Sequence, residues 1–315
     1  MKRTVLTIIT LIALALLCAC GSPAAEEEQI ESGKLSIVTT MFPAYDFALQ
    51  IAGDRAEVTL IVPPGSEAHS YEPTPKDIIT INSCDLLICN GGESEAWVAE
   101  VIEGLDNDVK VIYMLDCVDA LEEEIQEGMQ AYEEEDGDEA EYDEHVWTSP
   151  VNAQLICRQI CAALCEADSV SADAYTAACE DYCLELQELD AEFRTVVDNA
   201  ATHTVVFADR FPVRYFVEEY GLEYYAAFPG CAEDTEPSAK TVAFLVDKVR
   251  EADLPGVLYI EFSNEKMADI ICEETGCTKA LFHSCHNVSA DDIKNNVTYL
   301  DLMRANVSSL KEVLG

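Results

Sequence analysis

Short apolar runs rich in β-branched residues alternate with stretches of helical periodicity, twice over, on either side of one long helical stretch. No other feature of this 315-residue chain restricts its fold as much. Residues 35–40 (LSIVTT) read as a strand and residues 44–52 as a helix ending before Gly53. Strands at 58–62, 85–89 and 109–114 follow, with a helix beginning at Lys76. After a helix at 150–167, residues 172–199 place Tyr175, Ala178, Tyr182, Leu186, Leu189, Phe193 and Val196 at three- or four-residue steps, the mark of one long helix. The second half repeats the alternation, with strands at 204–207, 223–227, 257–260 and 278–282 and helices at 212–220, 238–251 and 265–275. Strands separated by helices imply parallel βαβ units. The simplest architecture is two α/β lobes, 34–167 and 200–315, hinged on a connecting helix at 168–199.

Charge narrows the partners. Sixty-one Asp and Glu stand against 18 Lys and Arg, a formal net charge of −43. Such a field repels phosphate backbones, which excludes nucleic acid, and it attracts cations. Residues 1–19 have the form of an export signal: Lys2 and Arg3, an apolar run over 5–17, then small residues. The run is too short for a bilayer-spanning helix, which needs about 20 residues. Leu17-Cys18-Ala19-Cys20 resembles a lipobox, which would leave Cys20 as a lipidated N-terminus and the chain membrane-bound by its lipid alone; a plain secretory peptide cut after Ala19 and an uncleaved anchor are the alternatives. Residues 20–33, polar and without apolar periodicity, read as a tether.

Fourteen cysteines in an exported chain ordinarily suggest disulfides. Here Cys157, Cys161 and Cys165 recur every four residues, as do Cys179 and Cys183, which suits buried helix faces on which thiols act as small hydrophobes. One or two bridges among Cys84, Cys89, Cys231, Cys272, Cys277 and Cys285 remain open, and the absence of any C-x-x-C pair argues against a cysteine zinc site. Residues 121–144 carry dense Glu and Asp with few apolar partners and read as a mobile acidic loop, either a solvated charge run or a collector of cations.

Only five histidines are present. His69 follows a strand, His145 follows the acidic loop and His283 follows the last strand, so three loop histidines are shared between the lobes. That distribution suits one late divalent metal between them, since neutral imidazole favours zinc over manganese. The segments VTTMFPAYDFALQIAGDRAEVTLIVPPGSEAHSYEPTPKD, NGGESEAWV and EHVWTSPVNA, in that order, resemble the metal-binding lipoproteins that serve zinc and manganese ABC importers. The likeness runs from about Leu35 to the C-terminus. It implies two four-stranded (βα) lobes joined by a rigid helix, one metal in the interlobe cleft, and a lipid-anchored receptor on the cell surface or in the periplasm. It further implies delivery, as a monomer, to an importer permease and its ATPase. His69 matches the family's first ligand and His145 its second.

The C-terminal lobe departs from the family pattern. Where a histidine usually follows the strand at 204–207, this chain offers Ala208, Asp209 or Arg210, of which only Asp209 can bind metal. The usual final carboxylate is matched by His283. The expected site is therefore His69, His145 and His283 with Asp209 as a fourth ligand, and His286, Cys285, Glu261 or water as alternatives; His203, at the start of a strand, is expected to be structural. No H-E-x-x-H, G-x-S-x-G or phosphate loop is present, which favours a receptor over an enzyme. Two other readings are a secreted zinc hydrolase with Glu67 or Glu72 as base, and a surface adhesin with a structural metal.

Overall fold

The strand Leu86–Cys89 is buried along its whole length, the signature of a parallel strand covered on both faces. In the computed structural model, which describes residues 34–66, 71–105, 109–130, 141–232 and 237–315, it lies third in chain order in a four-stranded parallel sheet. With β1 (Leu35–Thr39), β2 (Ala56–Leu60), β3 (Leu86–Cys89) and β4 (Lys110–Tyr113), the order is β2-β1-β3-β4. Ile37 pairs with Val58 on one side and Leu86 on the other. The second lobe repeats the arrangement with β5 (Thr204–Phe211), β6 (Glu223–Pro229), β7 (Gly256–Tyr259) and β8 (Thr278–Leu281), in the order β6-β5-β7-β8, all parallel. In both sheets the first strand sits beside the second and third, so the chain departs from it in two directions. Ligands of open α/β sheets bind at that switch point, beyond the carboxyl ends of the strands. The export signal, Cys20 and the tether lie outside the described residues, as does His69.

Helices α1 (Phe42–Ala52), α2 (Pro75–Asn82), α3 (Ala96–Glu103) and α4 (Pro150–Ala167) belong to the first half. The 27-residue α5 (Ala172–Asp198) is about 40 Å long at 1.5 Å per residue. Its buried face runs Tyr175, Cys179, Tyr182, Leu186, Leu189, Phe193, Val197. In its first half Tyr182 packs on Phe47 of α1, and near its C-terminal end Phe193 meets Phe216 edge-on with ring centroids 4.8 Å apart. Phe216 belongs to α6 (Arg214–Tyr220), so α5 is a spine shared by both lobes. One continuous apolar core links Ile37 and Phe47 through Trp147 and Tyr299 to Phe207 and Phe282. Helices α7 (Ala239–Glu251), α8 (Lys266–Thr275), α9 (Ala290–Lys294) and α10 (Tyr299–Leu314) complete the second half.

Several elements were not anticipated from periodicity: α3, α9 and α10. For the last two the signal was in the caps. Ser289 with Asp292, and Thr298 with Asp301, form reciprocal capping boxes. The strand expected at 204–207 runs on to Phe211, with a register shift between Phe207 and Arg210. Cys157, Cys161, Cys179 and Cys183 are buried as expected, whereas Cys165, near the end of its helix, is only half-buried; the twelve cysteines among the described residues are free thiols, Cys272 and Cys277 lying 3.6 Å apart.

The acidic segment requires correction. Rather than hanging free, its two ends pair: Glu123 N–H donates to the Glu141 carbonyl and Asp143 N–H to the Leu121 carbonyl, at 2.8 and 2.9 Å. Residues 126–130 dock on the second lobe, where Gln130 N–H donates to the Ala227 carbonyl and the Gln130 side chain accepts from Ser238 N–H. Gly128 is needed for this contact, because a Cβ there, on backbone at φ +89°, would stand 2.1 Å from the Phe244 ring. Composition misled here: backbone pairing and a few apolar contacts dock the described ends of this segment, where Glu122, Glu124, Glu127 and Glu141 stay exposed while Asp143 and Glu144 are buried. Residues 131–140 lie outside the described residues.

Candidate metal centre

His145 is held at the start of a single helical turn (Val146–Thr148) and is fully buried. Its N–H donates to Asp143 Oδ1 at 2.9 Å, and its Nδ1 lies 3.2 Å from the same oxygen. A carboxylate on Nδ1 fixes the ring and leaves Nε2 as the face for a metal. Burial, the largest influence, pulls the imidazole pKa down, yet Asp143, Glu144 and Glu123 outweigh it and hold the group above its ordinary value. Glu144 is itself buried: its carboxylate accepts from Ser94 N–H at 3.0 Å and from the Ser94 hydroxyl, while Asn90 Nδ2 donates to its carbonyl at 2.8 Å. Glu95 accepts from the N–H groups of Asn90 and Gly91, at 2.6 and 2.9 Å. The NGGESE loop after β3 is thus a cradle for two buried carboxylates behind His145.

The second lobe meets this histidine with its loop after β8. His286 lies edge-on to His145, ring centroids 5.6 Å apart, and 5.2 Å from Trp147. Trp147 reaches across to the same loop, its Nε1 donating to the Ser284 carbonyl at 2.8 Å. Ser284 is in turn held by Glu261, which accepts from its N–H at 2.7 Å and from its hydroxyl. Asn287 donates to the carbonyls of Pro63 and Ser66, at 3.2 and 2.6 Å, tying this loop to the one that leads into His69. His145, His286, Arg210, Glu261 and Ser66 share the wall of a cavity of about 30 Å3, room for an ion and little else. Gly230 backs it: a Cβ there would lie 2.9 Å from His145 Cε1 and 3.0 Å from the Phe211 carbonyl.

His145 is on the cavity wall. His283 is not: its Nδ1 accepts from Cys285 N–H at 2.9 Å, its N–H donates to Asn306, and the ring lies behind the wall beside Glu261. His286, three residues on, lines that cavity. Cys285 is fully buried and its thiol pKa is raised well above the ordinary value by burial. At the end of β5 the register shift brings Arg210 to this cavity, while Asp209 lines a neighbouring one. Burial raises the Asp209 carboxyl pKa against the lowering effect of Ser263 and Arg210. His203 is exposed just before β5, at the opposite end of the sheet. Among the described residues no three His, Cys, Asp or Glu side chains are arranged to hold an ion. Sequence reasoning passed over Asp143, hidden in the acidic run, and Gly230, Trp147 and Asn287, whose roles arise only from contacts across the cleft.

Residues 37–313 match the family described as ZnuA, zinc-uptake complex component A, periplasmic. The chain belongs to that family. This ZnuA-family chain is 30% identical over 301 residues to the high-affinity zinc uptake system protein ZnuA of Bacillus subtilis (strain 168), covering 95% of this chain and 94% of that protein. It is 31% identical over 307 residues to the zinc-binding lipoprotein AdcA of Streptococcus pneumoniae (strain ATCC BAA-255 / R6), covering 95% of this chain but 60% of AdcA, so it spans about three fifths of that relative. The crystal structure of the Zn(II)-bound ZnuA-like domain of Streptococcus pneumoniae AdcA superposes with a TM-score of 0.74 at 28% identity, over 90% of this chain and 99% of that one. ZnuA-family proteins are solute-binding receptors, and the two four-stranded lobes found here are their fold.

Proposed function

We propose that this chain is a lipid-anchored extracytoplasmic receptor that captures one zinc ion and passes it to an ABC importer. The carrying observation is the pair of imidazoles, His145 from one lobe and His286 from the other, facing each other in a cavity sized for an ion. Ser66, three residues before His69 in the chain, forms part of the same wall. His69, His145 and His286 are the ligands in this reading, with water or Glu261 completing the coordination. His283 and Asp209 act behind the wall and beside it. A set of neutral imidazoles suits zinc better than manganese, and the names of the curated relatives agree with that cargo. Cys20 is the anchor, the permease and its ATPase are the partners, and the receptor works as a monomer.

Calorimetric competition on the purified chain tests this reading. One zinc ion bound per chain, displaced only by a large excess of manganese, is the expected outcome. Tighter manganese binding, or no stoichiometric zinc, would overturn it.

A further inference from the structure

A second cavity, of about 320 Å3, adjoins the metal site within the second lobe. It opens between α7 and α8 at the carboxyl ends of β5 and β7, the switch point of that sheet, where α/β folds take small ligands. Its volume falls at the lower end of the range for small-molecule sites, about 300–1,000 Å3. Arg210, Ile260, Glu261 and Phe262 line both cavities, so an occupant of the larger one lies against the metal site.

The wall has a definite chemistry. Arg210 and Lys266 supply two positive charges, Asp209 and Glu261 two negative ones, and Met267 and Ile270 an apolar surface. In a chain with only 18 Lys and Arg, two cations on one small cavity are a large local departure from the overall charge of −43. A bare dication would be repelled by Arg210, which cannot lose its proton. A dicarboxylate would leave Asp209 and Glu261 uncompensated. A zwitterion satisfies both signs. The loop between β7 and α8 also holds two non-glycine residues in the left-handed region, Phe262 at φ +59° and Glu265 at φ +58°, strain that clusters at ligand clamps. Phe262 remains 60% exposed at the edge of the cavity.

We propose that this cavity binds a free α-amino acid carrying a metal-donor side chain, histidine being the type, so that ion and amino acid are held together as a ternary complex. The carboxylate meets Arg210 and Lys266, the ammonium meets Asp209, and the imidazole crosses the shared wall to the ion. Only this last element rests on the zinc reading.

Calorimetric titration of the full chain separates the two. Zinc-free protein should bind L-histidine and L-alanine one to one and ignore succinate. Zinc loading should tighten L-histidine binding about tenfold or more, the worth of one added strong contact, and leave L-alanine unchanged. Asp209→Asn and Lys266→Gln should each weaken amino-acid binding about tenfold or more, and Lys266→Gln should keep full zinc affinity measured with zinc alone. Absence of amino-acid binding at millimolar concentration, indifference to both substitutions, or equal binding of succinate would overturn the cavity assignment. Amino-acid binding with no gain on zinc loading, or loss of zinc to the added histidine, would overturn the ternary complex. Failure of zinc to bind at all would sink the zinc reading alone, because the zinc-free titrations do not depend on it.

Discussion

His283 and His286 stand three residues apart, yet their surroundings give them different work. His286 shares the ion-sized cavity with His145, whereas His283 spends its Nδ1 on the Cys285 N–H. His286→Ala should therefore weaken zinc binding by orders of magnitude, while His283→Ala, which disturbs only the support of the loop, should cost about 10–100-fold; chelator competition on the two variants distinguishes them. The pH dependence is set at His145. Because neighbouring carboxylates hold its proton more tightly than usual, and zinc needs the neutral ring, affinity should begin to fall at a pH above the ordinary imidazole value of about 6.5. Asp143→Asn removes the nearest of those carboxylates. Its fall in zinc affinity should move to lower pH, read from the same competition repeated over a pH series.

At the scale of elements, Asp46 on α1 is a buried polar link between the halves. It accepts from Tyr182 OH on α5 at 3.1 Å and from the Tyr299 N–H that opens α10 at 3.2 Å. Burial pushes its carboxyl up to about 6 and that of Glu95 up to about 7, against 3.8 and 4.5 for the free groups. A carboxyl raised in the folded state holds its proton more tightly there, so its contribution to stability is full below the unfolded pKa. That contribution is lost as pH rises through the folded one. A shift of roughly two units is worth about 3 kcal/mol. The urea midpoint should therefore drop between about pH 4 and pH 7, and Asp46→Asn should remove a substantial part of that drop. The acidic segment divides in the same way. Removing residues 131–140 should leave the zinc site intact, whereas removing 122–141 takes out the pairing that seats Asp143 and His145. Comparing zinc stoichiometry in the two deletions checks this.

For the whole molecule, the net charge of −43 acts on encounter, not on the geometry of the site. Zinc should bind faster at low ionic strength, and its on-rate should fall steeply as salt approaches about 0.15 M, where the screening length is about 8 Å; stopped-flow mixing with a zinc indicator measures it. Two βα lobes and the long helix between them were legible in the sequence because they rest on periodicity and on local motif. The family resemblance carried the same reading from Leu35 to the C-terminus. The rest depended on contacts between distant residues. Nothing local distinguishes His283 from His286; a register shift in β5 and the hydrogen bonds of Ser284, Asn287 and Asn306 decide that His286 and Arg210, and not His283 and Asp209, line the ion-sized cavity beside His145. The ends of the acidic run were misread for the same reason, since their docking uses backbone pairing and the Gly128 contact with Phe244, which composition does not record. Sequence by itself determined the alternating strands, most of the helices and the side chains available as ligands, because helical and strand periods are short-range properties of the chain. Tertiary structure alone decided which of those side chains meet, because a metal site is a coincidence in space between loops far apart in sequence.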